Sequence, residues 1–203
     1  MDVSVRLFKN KWLELATVTP LKVFLPFWIC ALIPVVYSIY PISFLRDGMM
    51  VLVGLFLWTI IEYIFHRYCF HASSSASWVN KVVFIMHGNH HEVPDDPLRN
   101  LMPLVVTVPL AVALWYLFGI GGRDYGRPAF VGFLIGYICY DFVHYMCHQS
   151  AMRGRLGFLI KRHHMLHHHA LEDCNFGVTS TFWDVVFRTD FRNLTKRSDA
   201  HRH

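Results

Sequence analysis

Four long apolar runs alternate with polar, histidine-rich segments along this chain. The runs cover residues 23–45, 48–65, 101–122 and 128–147. These runs contain two carboxylates and one imidazole: Glu62 in the second run, and Asp141 and His144 near the end of the fourth. A bilayer crossing takes about 20 apolar residues. The pattern therefore predicts four transmembrane helices at about these positions.

Short polar or glycine-rich turns connect the runs in pairs. The turn around Pro41–Asp47 predicts that runs one and two form an antiparallel hairpin, and Gly119–Gly126 predicts the same for runs three and four. Most Lys and Arg residues then fall on the side opposite these turns, which the positive-inside rule makes cytosolic. We expect an all-α fold: an integral membrane four-helix bundle with a cytosolic, histidine-rich helical cap.

This reading divides the chain into three parts. Residues 1–22 form an N-terminal segment, residues 23–190 form the membrane domain, and residues 191–203 form a polar tail. Phe8, Trp12 and Leu15 share one helical face near basic residues, which favours an interfacial helix; a frayed polar tail is the alternative.

Composition supports a membrane protein and argues against a nucleic-acid-binding protein, a disulfide framework and a thiolate metal site. Hydrophobic residues make up 54% of the 203, above the 45–50% usual for soluble domains, and the mean hydropathy is +0.34. The net charge of +5 is spread over the ends of apolar runs and forms no stripe, which argues against nucleic-acid binding. Five cysteines without a CxxC pair argue against a disulfide framework or a thiolate metal site.

Ten of the fourteen histidines fall into four compact clusters. The clusters are His66-x4-His71, His87-x2-His90-His91, His144-x3-His148 and His164-x2-His167-His168. Neutral imidazole is a common ligand for iron, zinc, copper and nickel. Two ions with about five nitrogen ligands each would use these ten side chains. The predicted topology places all four clusters on the cytosolic side, so we expect one dinuclear metal centre, which is itself the catalytic group.

Helical spacing suits three clusters better than the first. Residues three and four apart share a face of an α-helix, whereas five residues separate His66 from His71 by roughly 140°. The helix should therefore end or deform between them.

Metal-bound histidines usually donate their other N–H to a carboxylate or carbonyl. Asp141 and then Glu62 are the predicted partners, and a helix-end carboxylate paired with Lys or Arg is the alternative for each. His163 and His169 flank the last cluster and are predicted to support the ligands or to face the substrate.

The clusters and their surroundings resemble the fatty acid hydroxylase superfamily, and within it the fatty acid 2-hydroxylases. The resemblance covers about residues 55–190. It is carried by WTIIEYIFHRYCFH (58–71), HGNHHEVPDDPLRNLMP (87–103), YDFVHYMCH (140–148) and the segment 164–189, which ends NFGVTSTFWDVVFRT. The histidine clusters indicate the superfamily, and the 87–103 loop and the final segment indicate the branch.

The resemblance implies an enzyme that hydroxylates C2 of a long acyl chain, free or amide-linked in a ceramide-type lipid, with dioxygen and two electrons. It implies that the ten clustered histidines are the ligands of two metals, iron for catalysis with zinc possible in the isolated protein. Many relatives carry a cytochrome b5 domain with a His-Pro-Gly-Gly motif that this chain lacks, so we expect a cytochrome b5-like or other electron donor in trans. The membrane would be the endoplasmic reticulum in a eukaryote and the cytoplasmic membrane in a bacterium.

Departures from the family pattern leave substrate choice open. His163 and His169 stand where aromatic residues are common, Gln149 replaces a frequent histidine, and Arg188 replaces a glycine. Two other functions stay open: a sterol or carotenoid oxygenase of the same superfamily, and a non-catalytic metal-binding or transport protein, whose ligands would lie near the bilayer midplane.

Overall fold

The structure, a computed structural model, describes residues 6–200, and over that part it is helical without β-strands. The α-helices are α1 (Lys11–Ala16), α2 (Leu21–Tyr37), α3 (Phe44–Ile64), α4 (Ser77–Val83), α5 (Asn89–Glu92), α6 (Leu104–Gly119), α7 (Arg127–Gln149), α8 (Arg155–His169), α9 (Phe182–Val186) and α10 (Phe191–Ala200). Single π-helical turns follow α3 (Phe65–Phe70) and α4 (Phe84–Gly88) and precede α7 (Gly122–Gly126). The all-α prediction is confirmed over the described residues.

Helix α7 is the central element, and it packs against α2, α3 and α6. Aromatic side chains fill these contacts. The ring of Tyr137 on α7 lies 6.1 Å from Phe24 and 5.2 Å from Trp28 on α2, both edge-on. Burial of such large rings supplies much of the packing energy.

Two glycines let α3 and α7 approach with their backbones in contact. A Cβ on Gly54 would lie 1.9 Å from the carbonyl oxygen of Ala129, and a Cβ on Gly132 would lie 1.9 Å from that of Val51. Small residues at such crossings are typical of helix pairs in membranes. Gly136, four residues after Gly132, faces Trp58 in the same interface, where a Cβ would lie 2.6 Å from that side chain.

Two helical stretches are long and apolar enough to cross a membrane. They are Phe44–Phe70 and Gly122–Gln149, and Leu21–Tyr37 and Leu104–Gly119 are shorter apolar helices. Large apolar side chains on α3 point outward, with Leu52 66% and Phe56 55% exposed. Such a surface is suited to lipid.

The helix of the first apolar run is shorter than predicted, since α2 ends at Tyr37 and not at Leu45. Leu45 lies in the first turn of α3, where the Asp47 carboxylate accepts a hydrogen bond from the backbone N–H of Ser43 at 2.7 Å. A carboxylate in the first turn favours a helix start. This local signal outweighs the unbroken apolar run from which the longer helix was predicted.

Within the N-terminal segment, α1 contacts the loop before α6. The Glu14 carboxylate accepts hydrogen bonds from the backbone N–H groups of Leu7 and Phe8 and forms an ion pair with Arg99. Trp12 is 77% exposed. The interfacial position of this segment stays a prediction. Residues 1–5 of this segment, and 201–203 of the predicted tail, lie outside the described residues.

Candidate metal centre

A π-helical turn solves the spacing problem of the first histidine cluster. The turn Phe65–Phe70 contains His66, and His71 follows it directly. In a π-helix the hydrogen bond runs from residue i to i+5, so residues five apart come onto one face. The two imidazole centroids lie 5.2 Å apart. The predicted deformation between His66 and His71 is confirmed.

The second and fourth clusters are each divided between two places. In the second, His87 and His91 face one way and His90 the other; in the fourth, His164 and His168 face one way and His167 the other. In each cluster the pair that stays together is four residues apart, as expected for one helical face.

The ten predicted ligands thus form two groups of five, each with one nitrogen per residue and all of these within 4.8 Å of one another. The first group is His66, His71, His87, His91 and His167, and the second group is His90, His144, His148, His164 and His168. The groups adjoin: the rings of His91 and His168 stack at 4.1 Å between centroids.

Distances between Nε2 atoms have the values found in a coordination shell. In the first group they are 3.1 Å for His66–His87, 2.9 Å for His87–His91 and 3.0 Å for His71–His167. In the second group they are 2.8 Å for His148–His164 and 3.1 Å for His164–His168. Nitrogen ligands lie about 2.0–2.1 Å from zinc, so two at right angles are about 3.0 Å apart. Each group therefore has the ligand set and the dimensions of a metal site.

Backbone carbonyls determine which nitrogen faces inward. The Nδ1 atoms of His66, His144 and His167 lie 2.5 Å from Phe176 O, 2.8 Å from Asn100 O and 2.7 Å from Cys174 O respectively. A carbonyl only accepts, so each Nδ1 carries the proton and each Nε2 presents a lone pair. These three lone pairs point into the histidine groups, where they can bind a cation. Consistently, the buried Nε2 of His144 has no hydrogen-bond partner among the described residues.

Burial keeps these imidazoles neutral, which is the form that binds metal. Loss of solvation, followed by repulsion from neighbouring imidazoles, holds the pKa of His87 and that of His164 well below the ordinary value of 6.5. The same causes lower the pKa of His91 to about 3.

The two predicted carboxylate partners, Asp141 and Glu62, form their hydrogen bonds with other groups than the histidines. Among the described residues, Asp141 accepts hydrogen bonds from Met102 N and Tyr137 Oη, and Glu62 accepts from Val178 N and from the amide and hydroxyl of Thr179. The recorded hydrogen bonds of both carboxylates thus go to groups other than imidazoles, and carbonyls stand instead at the Nδ1 atoms of His66, His144 and His167. His163 contacts a different carboxylate, that of Asp184, at 3.0 Å, and His169 lies exposed at the edge, 6.1 Å from the His168 ring.

Asp184 organises the loop that supports the first group, and the sequence analysis missed it. Its fully buried carboxylate accepts hydrogen bonds from Phe176 N, Gly177 N and Thr189 Oγ1 as well as its contact with His163. This loop supplies the carbonyls that hold His66 and His167. The only sequence signal was an acid within the apolar FWDVVF segment, where an ionisable residue is costly unless it has partners.

An apolar cavity of about 340 Å³ opens beside both histidine groups. Phe70 in its wall stacks on His87 at 5.1 Å, and Tyr140 stacks on His144 at 6.1 Å. The size falls within the range of small-molecule pockets. From there the cavity runs along α3, α6 and α7.

Comparisons with known proteins agree with this geometry. The model of the family described as fatty acid hydroxylase matches residues 51–189. The dihydroceramide fatty acyl 2-hydroxylase FAH2 of Arabidopsis thaliana is 34% identical over 191 residues, which are 91% of this chain and 79% of that protein. The fatty acid 2-hydroxylase of Homo sapiens is 36% identical over 143 residues, covering 68% of this chain and 38% of that one.

A solved structure has the same fold. It is described as full-length scs7p with only the hydroxylase domain visible, and it matches with a TM-score of 0.84 and 32% identity over 91% of this chain and 71% of that one. This chain spans most of the plant relative and well under half of the human one.

Proposed function

Because this chain belongs to the fatty acid hydroxylase family, we propose that it is a membrane enzyme that inserts a hydroxyl group at C2 of a long acyl chain. Relatives from plants, animals and yeasts are named fatty acid or ceramide hydroxylases. The observation that carries the proposal is an apolar cavity whose wall residues Phe70 and Tyr140 stack on His87 of the first group and His144 of the second. The resemblance inferred from the histidine clusters and the 175–189 segment is confirmed.

In this proposal the ten clustered histidines are the ligands of a dinuclear centre. An iron pair, when bound, supplies the redox chemistry with dioxygen that zinc cannot, since zinc has no accessible second oxidation state. Two electrons come from a donor, of the cytochrome b5 type or another, that meets the water-facing edge of the site.

The protein's own residues bind and orient the substrate. The hydrocarbon tail enters the cavity between α3 and α6, where burial of apolar surface stabilises it by roughly 0.8 kcal/mol per methylene. The carbonyl end then stays at Phe70 and Tyr140, which places C2 beside the histidines. The apolar wall excludes water from the reacting carbon.

The substrate class follows the relatives. We propose a long-chain acyl group, amide-linked in a ceramide-type lipid or free, because the plant relative is named for dihydroceramide. His163, which contacts Asp184, supports the site from outside, and the exposed His169 is proposed to lie toward the head group or the donor.

We propose that α2, α3, α6 and α7 are the four crossings of a multi-pass protein. Residues 23–190 form the hydroxylase domain, residues 1–22 lie at the interface with Trp12 and Leu15 toward lipid, and residues 191–203 form a polar tail. The histidine groups and most basic residues then lie on the cytosolic side. The membrane is the endoplasmic reticulum in a eukaryotic host and the cytoplasmic membrane in a bacterial one.

The test is production of 2-hydroxy acyl chains in cells that make ceramides and have no such enzyme of their own. The wild-type chain should form them, and His87→Ala or His167→Ala should lower the yield at least about 100-fold at equal protein level. Leu156→Ala is the matched control, since this side chain is 72% exposed on α8, the helix that carries His167, and belongs to neither group.

Mass spectrometry of the lipids separates the alternatives. Hydroxylated sterols or carotenoids would replace the acyl assignment by another oxygenase activity. Undiminished product in both histidine variants would contradict the ligand assignment. The metal content of the purified wild-type protein, two ions per chain with iron supporting activity, completes the test.

A further inference from the structure

The cavity beside the histidines is a deep slot that follows helix α6. Its wall includes Met102 just before α6, Thr107 and Ala111 within it, and Phe118 near its end. The eleven residue steps from Thr107 to Phe118 rise about 16 Å along the helix. The slot therefore reaches from the histidine groups most of the way through the apolar helices.

Aromatic rings close the far end of the slot. The ring of Phe118 lies 5.7 Å from Phe130 and 5.5 Å from Phe133 on the facing helix α7, and Trp115 packs on Phe130 at 5.4 Å. Phe130 is 2% and Phe133 6% exposed, so this floor is tightly packed.

A second apolar cavity, of about 350 Å³, lies beside the slot between α2, α6 and α7. Three residues line both cavities and form the wall between them: Ala111, Phe130 and Leu134. Only a few side chains thus separate the slot from this second space.

We propose that the distance from the histidine groups to the Phe118–Phe130–Phe133 floor sets the longest acyl chain that the enzyme hydroxylates. This inference rests on the proposed function. Carbon–carbon bonds of about 1.5 Å let a zigzag chain advance about 1.25 Å per carbon. The 16 Å from Thr107 to Phe118 then holds about 13 carbons beyond the reacting end.

Ala111 is the position where the slot can be shortened. It is the small residue at mid-depth, seven residues or about 10 Å before Phe118. In Ala111→Phe, a ring fills the slot at this level, and the upper limit of chain length should fall by about eight carbons. Ala113→Phe is the matched control, since Ala113 is exposed on the same helix and lines neither cavity.

Phe118→Ala is the complementary variant, which removes one side of the floor. Phe118 is half-buried, so the change disturbs the core less than loss of the buried Phe130 would. The upper limit should rise by at least about two carbons.

The assay feeds each variant an equal mixture of acyl chains of graded length and measures the 2-hydroxy product of each length by mass spectrometry. The expected result is a shorter limit in Ala111→Phe, a longer one in Phe118→Ala and an unchanged one in Ala113→Phe. Identical length profiles in the first two variants and the wild type would overturn the proposal, because they would show that the tail leaves sideways into the bilayer.

Failure of the proposed function gives a different result, namely no 2-hydroxy product of any length from the wild type. If Ala111→Phe loses all product, the Phe118→Ala profile decides alone: an extended limit supports the floor, and an unchanged limit refutes it.

Discussion

Replacement of Asp184 by Asn should remove one metal ion of the two. The carboxylate holds the loop at Phe176 and Gly177, and carbonyls of that loop and of Cys174 hold His66 and His167. Both histidines belong to the first group, and neither belongs to the second. The perturbation should therefore act on one site only.

The size of the effect follows from the hydrogen bonds. Asp184 Oδ1 accepts from Phe176 N at 2.9 Å, and Oδ2 accepts from Gly177 N at 2.8 Å. Either orientation of an Asn side chain places its NH₂ group against one of these N–H donors. One hydrogen bond to a charged acceptor, about 1.5–3 kcal/mol, is then lost. This corresponds to a 10–100-fold weaker metal affinity at the first group, the range usual for partners of metal-bound histidines.

The assay is the metal content per chain after dialysis against graded chelator concentrations. Over a 10–100-fold range of chelator concentration, the wild type should still hold two ions per chain while Asp184→Asn holds about one. Asp47→Asn is the control, because Asp47 is equally buried but lies in the first turn of α3, at the opposite end of that helix from His66. Simultaneous loss of both ions, or retention of both across the range, would refute the reasoning.

Two further predictions concern acid and packing. Folding lowers the pKa of His91 from 6.5 to about 3 and so keeps its imidazole neutral. The metal-free protein should therefore be most stable above pH 6.5, and below that pH each such histidine should lower the free energy of unfolding by up to about 1.4 kcal/mol per pH unit. Equal melting temperatures at pH 7 and pH 5 would contradict this. In Gly132→Ala the new methyl would meet Val51 O at 1.9 Å, so the free energy of unfolding should fall by at least about 3 kcal/mol. Gly48→Ala, which has open space, should behave as wild type in thermal unfolding.

The helical framework follows largely from the sequence, because it depends on runs of apolar residues. The observed helices overlap all four predicted runs. The end of α2 at Tyr37 was missed since an apolar run does not show where a helix stops; the start of α3, with the Asp47 carboxylate bonded back to Ser43, decides it.

The candidate ligands also follow from the sequence, but their supporting groups do not. Imidazole spacing identified ten histidines that the structure brings together. Asp141 and Glu62 were natural candidates for partners, yet carbonyls of Phe176, Asn100 and Cys174 take that place. A carbonyl is present at every residue, so no side-chain pattern marks the ones that matter.

Residue type and spacing alone predicted four apolar helices and, at their ends and between them, four histidine clusters suited to metal. The tertiary structure decided which five imidazoles share each group: His90 separates from His91, and His167 from His168. Neighbouring residues on a helix point about 100° apart, so adjacent histidines face different groups. Only the packing of the helices determines which group each of them joins.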